Sequence, residues 1–259
     1  MPPFIDPVRN WLLDVLFPPR CAGCPTFCRK LFCRKCAPTV LKLRPPYCRV
    51  CAEPFDPVAY HDPLCLSCRS AKTNFDFARA AWLYEGAPRG AIHRLKYGGK
   101  SALAARLAPV LSRTVREEDA LKTIRFDCVA PVPLHARRER KRGFNQSELL
   151  ARAVADELGV ALGRALERTR ATPPQVGLNL KERQVNVRGA FALSPGFELP
   201  PNANILLVDD VFTTGATLRE CATVLKRAGA GSVCAVTLAR QSAPNFQAQF
   251  EPDDLGWLN

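Results

Sequence analysis

The stretch Ile205-Leu-Leu-Val-Asp-Asp-Val-Phe-Thr-Thr-Gly-Ala-Thr217 decides the fold of this chain. Its apolar start, Ile205 to Val208, predicts a buried strand that leads directly into the carboxylates of Asp209 and Asp210. A short turn rich in threonine and glycine follows, and the residues after it have apolar side chains at helical spacing up to Gly229. The pattern therefore predicts a strand, a polar turn and a helix in direct succession.

A turn of this kind, at the start of a helix, is where α/β proteins bind phosphate, because free N–H groups and the positive end of the helix dipole receive the anion. Thr213, Thr214 and Thr217 add hydroxyl donors, and Gly215 lets the backbone approach closely. The two acids would repel a phosphate, so we expect them to face hydroxyl groups, such as those of a ribose, or a hydrated cation. A sugar phosphate satisfies both halves of the segment.

This segment resembles the signature of type I phosphoribosyltransferases, which bind phosphoribosyl pyrophosphate (PRPP). The resemblance implies that Asp209 and Asp210 hold the ribose 2′ and 3′ hydroxyls, and that Mg²⁺ accompanies PRPP. It also implies that the turn from Thr213 through Gly215 and Ala216 to Thr217 holds the 5′-phosphate. The competing interpretation is an ordinary parallel strand with an aspartate as helix cap, and two adjacent acids before Thr-Thr-Gly-x-Thr disfavour it.

Length, charge and hydropathy place limits on the class of protein. The 259 residues suffice for one α/β domain and a small module, and an apolar fraction of 47% supports a real core. No apolar run reaches the roughly 18–20 residues of a membrane span, and the N-terminus reads as a short amphipathic helix rather than a secretory signal. We therefore expect a cytoplasmic protein. The net charge of +13 favours polyanionic partners, but a ligand such as PRPP also demands basic residues.

Eight cysteines near the N-terminus form four Cys-x-x-Cys pairs, which are Cys21/Cys24, Cys33/Cys36, Cys48/Cys51 and Cys65/Cys68. Two such turns complete a tetrahedral zinc site, so the pairs predict two structural Zn²⁺ ions. Pairing in chain order is the simplest arrangement, and interleaved pairing stays open. The role of Cys28 also stays open, as a spare thiol or a substitute ligand. A disulfide cluster would need an exported chain.

The zinc-binding segment also carries basic and aromatic residues that could contact nucleic acid. They are Arg29, Lys30, Arg34, Lys35, Arg44 and Arg49, with Phe27, Phe32 and Tyr47 between them. A folded ribbon with a solvated basic face is an equally good interpretation.

After about residue 74 the pattern changes to alternating strands and helices, which predicts a mostly parallel sheet flanked by helices. Pro109 is expected to kink or break its helix, and Asn145 with Glu148 resembles a capping box. We expect a double zinc-ribbon module over 1–72, an α/β domain of the type I phosphoribosyltransferase fold over 73–245, and a polar tail over 246–259.

A basic segment follows the strand that ends near Pro131 and Pro133, at the same edge of the sheet as the acids. Its candidates for binding pyrophosphate or a DNA backbone are Arg137, Arg138, Arg140, Lys141 and Arg142. A simple exposed charge run is the less favoured interpretation.

The segment 168–193 is polar, interrupted by proline and glycine, and too long for a simple turn. Type I phosphoribosyltransferases have a flexible loop at this place in the chain order, and it closes over PRPP. Gln175, Arg183 and Arg188 are the residues of this predicted flexible loop that we expect to reach the ligand.

Together the zinc-ribbon module, Leu95-Lys-Tyr-Gly-Gly-Lys100, the Pro131-Val-Pro-Leu-His135 and Arg142-Gly-Phe-Asn-Gln146 segments and the acid-turn motif are similar to the ComF family. That resemblance implies a role in natural competence, with single-stranded DNA handled in the cytoplasm alongside DNA-uptake machinery that includes a helicase. It does not imply a reaction, and the sequence identifies no catalytic residue and no oligomeric state.

Two functions are consistent with these patterns. One is a PRPP-binding protein that acts in DNA uptake. The other is an active phosphoribosyltransferase of nucleotide metabolism or salvage, in which a nitrogen nucleophile attacks the ribose and pyrophosphate leaves. The sequence contains no recognisable base-binding element, and this counts against the enzyme. A purely structural scaffold would not explain the acids and the threonine turn.

Overall fold

A computed structural model describes residues 18–55, 63–70, 73–98, 101–173 and 180–242. The strands are β1 (Phe77–Leu83), β2 (Cys128–Pro131), β3 (Ala161–Leu162), β4 (Leu166–Arg168), β5 (Phe191–Leu193), β6 (Asn204–Phe212) and β7 (Ser232–Arg240). The helices are α1 (Leu66–Ser70), α2 (Gly86–Tyr97), α3 (Ala102–Glu117), α4 (Asp119–Lys122), α5 (Ala136–Arg142), α6 (Gln146–Leu158), α7 (Leu180–Val187) and α8 (Ala216–Arg227). The predicted N-terminal helix and the whole predicted polar tail, 246–259, lie outside the described residues.

Five strands form one sheet in the order β1-β7-β6-β2-β3, and every neighbouring pair in it is parallel. A separate antiparallel pair, β4 with β5, lies beside it. The central strands are continuous apolar runs because both faces of a parallel sheet are covered by helices. The predicted α/β class with a mostly parallel sheet is therefore confirmed.

Two apolar layers cover the two faces of this sheet. Helices α2, α3 and α6 pack against Leu206, Val208 and Val236 on the first face. Helix α8 and the β4–β5 pair pack against the neighbouring residues Ile205 and Leu207 on the second face. This alternation along β6 follows from the two-residue period of a strand.

The structure departs from two local expectations, the break at Pro109 and the capping box, while a kink at Pro109 stays a prediction. Helix α3 runs unbroken through Pro109, so the proline does not break it. Its apolar residues, among them Leu107 and Leu111, are fully buried against the sheet, and that packing outweighs the one lost hydrogen bond. The capping box is also absent. Asn145 caps α6 as expected, but Glu148 pairs with Arg152 and Arg164 instead of returning to the cap.

The cysteine-rich segment continues the sheet instead of standing apart from it. Leu43 N–H donates to Ala81 O at 3.0 Å, and Leu83 N–H donates to Leu41 O at 3.0 Å. These bonds pair the segment with β1, which is the outer strand of the parallel sheet, and so cover an edge that would otherwise expose unpaired backbone groups. Within the described part of the chain, no helix combines the length and apolarity that a membrane crossing requires.

Candidate functional site

The two acids of the predicted ligand site lie inside β6, near its carboxyl end. Asp210 is buried, and its Oδ1 forms an ion pair with Lys96 Nζ at 2.7 Å. Its Oδ2 is also buried and has no hydrogen-bond partner among the described residues. A buried carboxylate oxygen without a partner is costly, so this atom is suited to a ligand donor or a cation.

Asp209 faces a different partner. Its Oδ1 accepts a hydrogen bond from Ser147 Oγ at 2.8 Å and another from Asp210 N–H at 2.9 Å. Burial, and next to it the charge of Asp210, raises the pKa of Asp209 to about 7. Asp209 therefore keeps its proton to a higher pH than an exposed aspartate would.

Lys96, from the C-terminal turn of α2, is a site residue that the sequence interpretation missed. Burial of the Lys96 ammonium opposes its charge, but the attraction of Asp210 and Asp209 is greater, and its pKa is raised. The glycine-rich motif around it was visible in the sequence, but its contact with Asp210 joins residues far apart in the chain. No local pattern indicates that contact.

The turn from Thr213 to Gly215 leads directly into α8, as predicted. Gly215 adopts a left-handed φ of 73°, and a Cβ on it would lie 2.5 Å from the ring of Phe212. Arg219, one turn into α8, donates from its guanidinium to Thr214 O at 3.0 Å. The ring of Phe212 and the guanidinium of Arg219 thus contact the turn directly before the N-terminus of α8.

The basic segment forms the short helix α5, and the residues around it explain its motif. His135 Nδ1 accepts from Arg137 N–H at the start of the helix, and Gly143 ends it with a left-handed φ of 86°. Asn145 then caps α6 through Ser147 N–H, while its Nδ2 donates to Val132 O at 3.1 Å. These contacts place Ser147 against Asp209, so the motif positions the acid pair.

The members of the predicted basic set differ in their contacts, and one of them shares a threonine with a second arginine, which comes from a strand. Arg138 donates to Thr172 O at 2.7 Å, and Arg168, from β4, bonds the hydroxyl of the same threonine. Burial, and next the repulsion of Arg138, lowers the pKa of Arg168. These two arginines, one of them missed in the sequence, form a cationic pair suited to a pyrophosphate. Arg137, Arg140 and Lys141 are exposed, and Arg142 bonds Gln146.

The residues of the predicted flexible loop are distributed over different structures. Gln175 lies outside the described residues. Arg183 lies on helix α7, so the segment is partly regular where the sequence indicated a loop. Arg188 is exposed just after that helix, and its carbonyl accepts from Arg170 at 2.8 Å. Flexibility and contact with the ligand stay predictions for these three residues.

The eight paired cysteines converge on two metal sites in chain order. Cys21, Cys24, Cys33 and Cys36 form the first site, and Cys48, Cys51, Cys65 and Cys68 form the second. The sulfurs of Cys24 and Cys33 are 3.7 Å apart, and those of Cys51 and Cys65 are 3.6 Å apart. Four sulfurs at about 2.3 Å from one Zn²⁺ ion would be spaced by about 3.8 Å, so both sites fit structural zinc.

Interleaved pairing is thereby ruled out, and Cys28 belongs to neither set of four. The other three cysteines, Cys128, Cys221 and Cys234, are buried in the apolar layers. Burial raises the pKa of each of these thiols, and that of Cys128 to about 11.

The second zinc site is joined to the turn of the ligand site by two sets of contacts. Arg219 reaches Ser67 Oγ, in the helix that carries Cys68, at 3.4 Å, and the same guanidinium holds Thr214. Arg240 forms an ion pair with Glu53, two residues after Cys51, and lies 4.1 Å from the centre of the Phe212 ring. The second metal site and the turn from Thr213 to Gly215 therefore share supports.

The aromatic residues of the zinc segment differ in their availability. Phe32 is buried against Trp82, and Tyr47 donates its hydroxyl to Glu118 at 2.6 Å. Phe27 alone of the three is an exposed large side chain, 60% accessible, with the Arg20 guanidinium 4.3 Å from its ring centre. Base stacking by the whole set is therefore wrong, because two of its rings are committed to packing.

A magnesium ion also fits the acid site. Carboxylate oxygens are the ligands that Mg²⁺ prefers, and the unpartnered Oδ2 of Asp210 offers one such atom. The ammonium of Lys96 already neutralises the other oxygen. The chain would thus hold Mg²⁺ through few ligands of its own, as is usual for an ion that also binds substrate phosphates. The ion would neutralise phosphate charge, while Arg138 and Arg168 add fixed positive charge.

Two family models match this chain. Residues 145–254 match the phosphoribosyl transferase domain, and residues 12–71 match the double zinc ribbon domain. A solved structure described as the allosteric regulatory enzyme of purine biosynthesis is 22% identical, covering 51% of this chain and 25% of its own, with a TM-score of 0.34. The match to the family models and the parallel sheet, rather than that score, support the fold.

Two curated relatives extend the likeness. DNA utilization protein YhgH of Salmonella typhimurium is 40% identical over 154 residues, which is 58% of this chain and 65% of that protein. Competence protein F of Haemophilus influenzae is 30% identical over 197 residues, which is 75% of this chain and 85% of that protein. With its zinc ribbon followed by a phosphoribosyl transferase domain, and with this identity over most of competence protein F, the chain belongs to the ComF family.

Proposed function

We propose that this chain is a ComF-type competence protein that binds PRPP with Mg²⁺ at Asp209–Thr217 and handles single-stranded DNA in the cytoplasm. The observation that carries the proposal is the arrangement at the carboxyl end of β6. A buried acid with one unpartnered oxygen, a left-handed glycine turn and a helix N-terminus follow one another within eight residues. Hydroxyls and a cation fit the first part, and a phosphate fits the second.

The names of the relatives support the DNA part of the proposal, since they describe competence and DNA utilization. The net charge of +13 and the exposed Arg137, Arg140 and Lys141 of α5 provide phosphate contacts. We assign these exposed residues to the DNA backbone, and we assign Arg138 with Arg168 to pyrophosphate. This division follows from exposure and contacts, since Arg137, Arg140 and Lys141 are exposed whereas Arg138 and Arg168 converge on Thr172.

Calorimetric titration of the zinc-loaded protein with PRPP and Mg²⁺ tests the proposal. The double variant Asp209→Asn with Asp210→Asn should lose PRPP binding and keep its affinity for a short single strand. Asp119→Asn, an exposed acid paired with Lys122, is the matched control and should bind PRPP as the wild type does. PRPP binding that survives in the double variant would contradict the assignment of the site.

The division of the arginines is tested in the same assay. Arg138→Gln should weaken PRPP binding by about tenfold, which corresponds to one charged hydrogen bond of about 1.4 kcal/mol. Arg137→Gln with Arg140→Gln should instead weaken DNA binding and reduce its salt dependence by about two phosphate contacts. Equal effects of both variants on both ligands would mean that one shared surface binds them.

A further inference from the structure

An exposed aromatic face lies at the C-terminal end of α2. Tyr97 is 66% accessible, which makes it one of the few exposed large apolar side chains in the described part of the protein. The ring of His93, one helical turn earlier, lies 4.8 Å from the Tyr97 ring, measured between centres, and is also exposed. The two rings share one side of the helix because residues four apart are neighbours on its surface.

A cation from another element completes this face. The guanidinium of Arg142, at the C-terminal end of α5, lies 5.3 Å from the centre of the Tyr97 ring. Arg142 is held there by its bond to Gln146 at the start of α6. Arg140 and Lys141 precede it and are exposed, so the ring lies beside a row of positive charge.

Tyr97 and Arg142 are each next to, or bonded to the neighbour of, a residue that contacts one of the two acids. Lys96, which precedes Tyr97, pairs with Asp210 at 2.7 Å. Gln146, which holds Arg142, precedes Ser147, and Ser147 donates to Asp209 at 2.8 Å. Tyr97 is thus next in sequence to the lysine that pairs with Asp210, and Arg142 bonds the residue that precedes the serine bound to Asp209.

Proteins bind single strands by combining cations along the backbone with aromatic rings on which bases stack. We propose that Tyr97, His93 and Arg142 form a base-stacking subsite for single-stranded DNA at the mouth of the acid site. This inference rests on the proposed function and deepens it, because it places the strand beside the ligand site. Among the described residues of the zinc segment, Phe27 is the one exposed large aromatic side chain, and its ring lies beside Arg20.

A fluorescent thymidylate 12-mer and the full-length, zinc-loaded protein provide the test. Tyr97→Ala should lower the affinity for the oligonucleotide by about tenfold, as expected for the loss of one stacked base. Tyr97→Phe should retain the affinity, since the ring remains. Phe27→Ala is the matched control, another exposed aromatic beneath an arginine, and should change the affinity less than about twofold.

Parallel PRPP titrations distinguish failure of this inference from failure of the proposed function. Tyr97→Ala should bind PRPP with Mg²⁺ as the wild type does, because it leaves Lys96 and the acids in place. If PRPP and the oligonucleotide bind but Tyr97→Ala has no effect, or if Phe27→Ala causes the loss, the subsite is wrong and the proposed function stands. If the wild type binds no oligonucleotide, the DNA part of both is wrong.

A free base or nucleotide could stack on the same aromatic rings in place of a DNA strand. Thymine and thymidine 5′-monophosphate should bind at least about a hundredfold more weakly than the 12-mer, because they lack the additional phosphates that α5 would contact. Binding of the free base or nucleotide that depends on Tyr97, with oligonucleotide binding that does not, would overturn the strand subsite in favour of an acceptor pocket.

Discussion

The two zinc sites have the same ligands but different surroundings in the fold. Each consists of two Cys-x-x-Cys turns in chain order, with closely similar sulfur spacings of 3.7 and 3.6 Å. The first site joins the apolar layer of α2, α3 and α6, and the second joins the layer that contains α8. The same metal chemistry therefore supports opposite faces of one sheet, and Phe212 and Ala216, which flank the turn from Thr213 to Gly215, belong to the second layer.

The two zinc sites are held by different arginines, and these arginines connect them to different parts of the protein. Arg106 of α3 fastens the first site by donating to the carbonyls of Arg20, Arg29 and Lys30 at 2.6 to 3.0 Å. Those bonds end within the zinc segment and α3. At the second site, Arg219 continues from Ser67 to Thr214 and so reaches the ligand turn. We expect the first site to stabilise the fold and the second to stabilise the fold and the ligand site together.

The largest contrast should come from removing one ligand at each site. Cys51→Ser and Cys24→Ser should each reduce the zinc content from two ions to one, since a Cys₃ set loses much of its binding free energy of on the order of 10 kcal/mol. Cys51→Ser should lower PRPP affinity by at least about thirtyfold, because the turn loses its support. Cys24→Ser should change it by less than about threefold. Zinc analysis and calorimetry measure both quantities, and equal losses of PRPP affinity would break the comparison.

The next effect concerns the buried ion pair next to the second site. The Arg240 side chain is only 3% exposed, so Glu53→Gln leaves a buried charge without its partner. Breaking a pair of this kind costs about 3–5 kcal/mol. Urea unfolding should detect that loss. Arg106→Gln, the matched change at the partly exposed support of the first site, should cost about 1 kcal/mol, and a larger loss there than for Glu53→Gln would contradict the assignment.

A smaller effect is expected from Arg219, which has one bond to each region. Arg219→Gln removes its reach to Thr214 and Ser67, and we expect PRPP affinity to fall by about tenfold, or about 1.4 kcal/mol. Release of the second zinc should become faster, because the helix of Cys68 loses the same contact. Arg106→Gln should leave PRPP affinity unchanged. An Arg219→Gln protein that binds PRPP normally would mean that the shared support has no energetic role.

The last prediction is a pH dependence of stability that is confined to the acid pair. The pKa of Asp209 is raised to about 7 in the folded protein, against about 3.9 in an unfolded chain. Its contribution to stability is therefore full below about pH 4 and is lost as the pH rises to about 7, by up to about 1.4 kcal/mol per pH unit. Thermal unfolding between pH 5.5 and 7.5 should show this decline in the wild type and in Cys24→Ser.

Asp209→Asn serves as the control for that decline, since an amide does not titrate. Its stability should change less over the same pH range than that of the wild type. A slope that is the same in Asp209→Asn would assign the pH dependence to another group.

The strand, the acids, the turn and the metal ligands could be predicted from the sequence because each depends on residues close together in the chain. The pairs Cys21/Cys24 and Cys33/Cys36 bind one ion because they lie close together in the chain. A glycine is needed at position 215 because the backbone there has a left-handed φ. The acid pair followed by a threonine turn is likewise a local pattern. These features need no knowledge of distant neighbours.

The missed features depend on contacts between distant segments. Lys96 meets Asp210 across 114 positions of the chain, and nothing near Lys96 indicates that partner. Arg138 and Arg168 converge through Thr172, so no local signal separates Arg138 from the exposed Arg137 beside it. Pro109 misleads for the same reason, since distant packing keeps its helix intact. The different packing environments of the two zinc sites could not be predicted either, because they also depend on contacts between distant segments.

Zinc release in the presence and absence of PRPP with Mg²⁺ tests the central claim most directly, which is that the PRPP turn and the second zinc site support each other. Cys24→Ser retains only the second site, and Cys51→Ser retains only the first. If the turn and the second zinc site support each other, bound PRPP stabilises the zinc-bound state, so PRPP should slow zinc release from Cys24→Ser by at least about fivefold and leave Cys51→Ser unchanged. Asp209→Asn with Asp210→Asn in the Cys24→Ser protein should abolish the slowing. Equal protection of both sites, or protection of neither, would contradict the account.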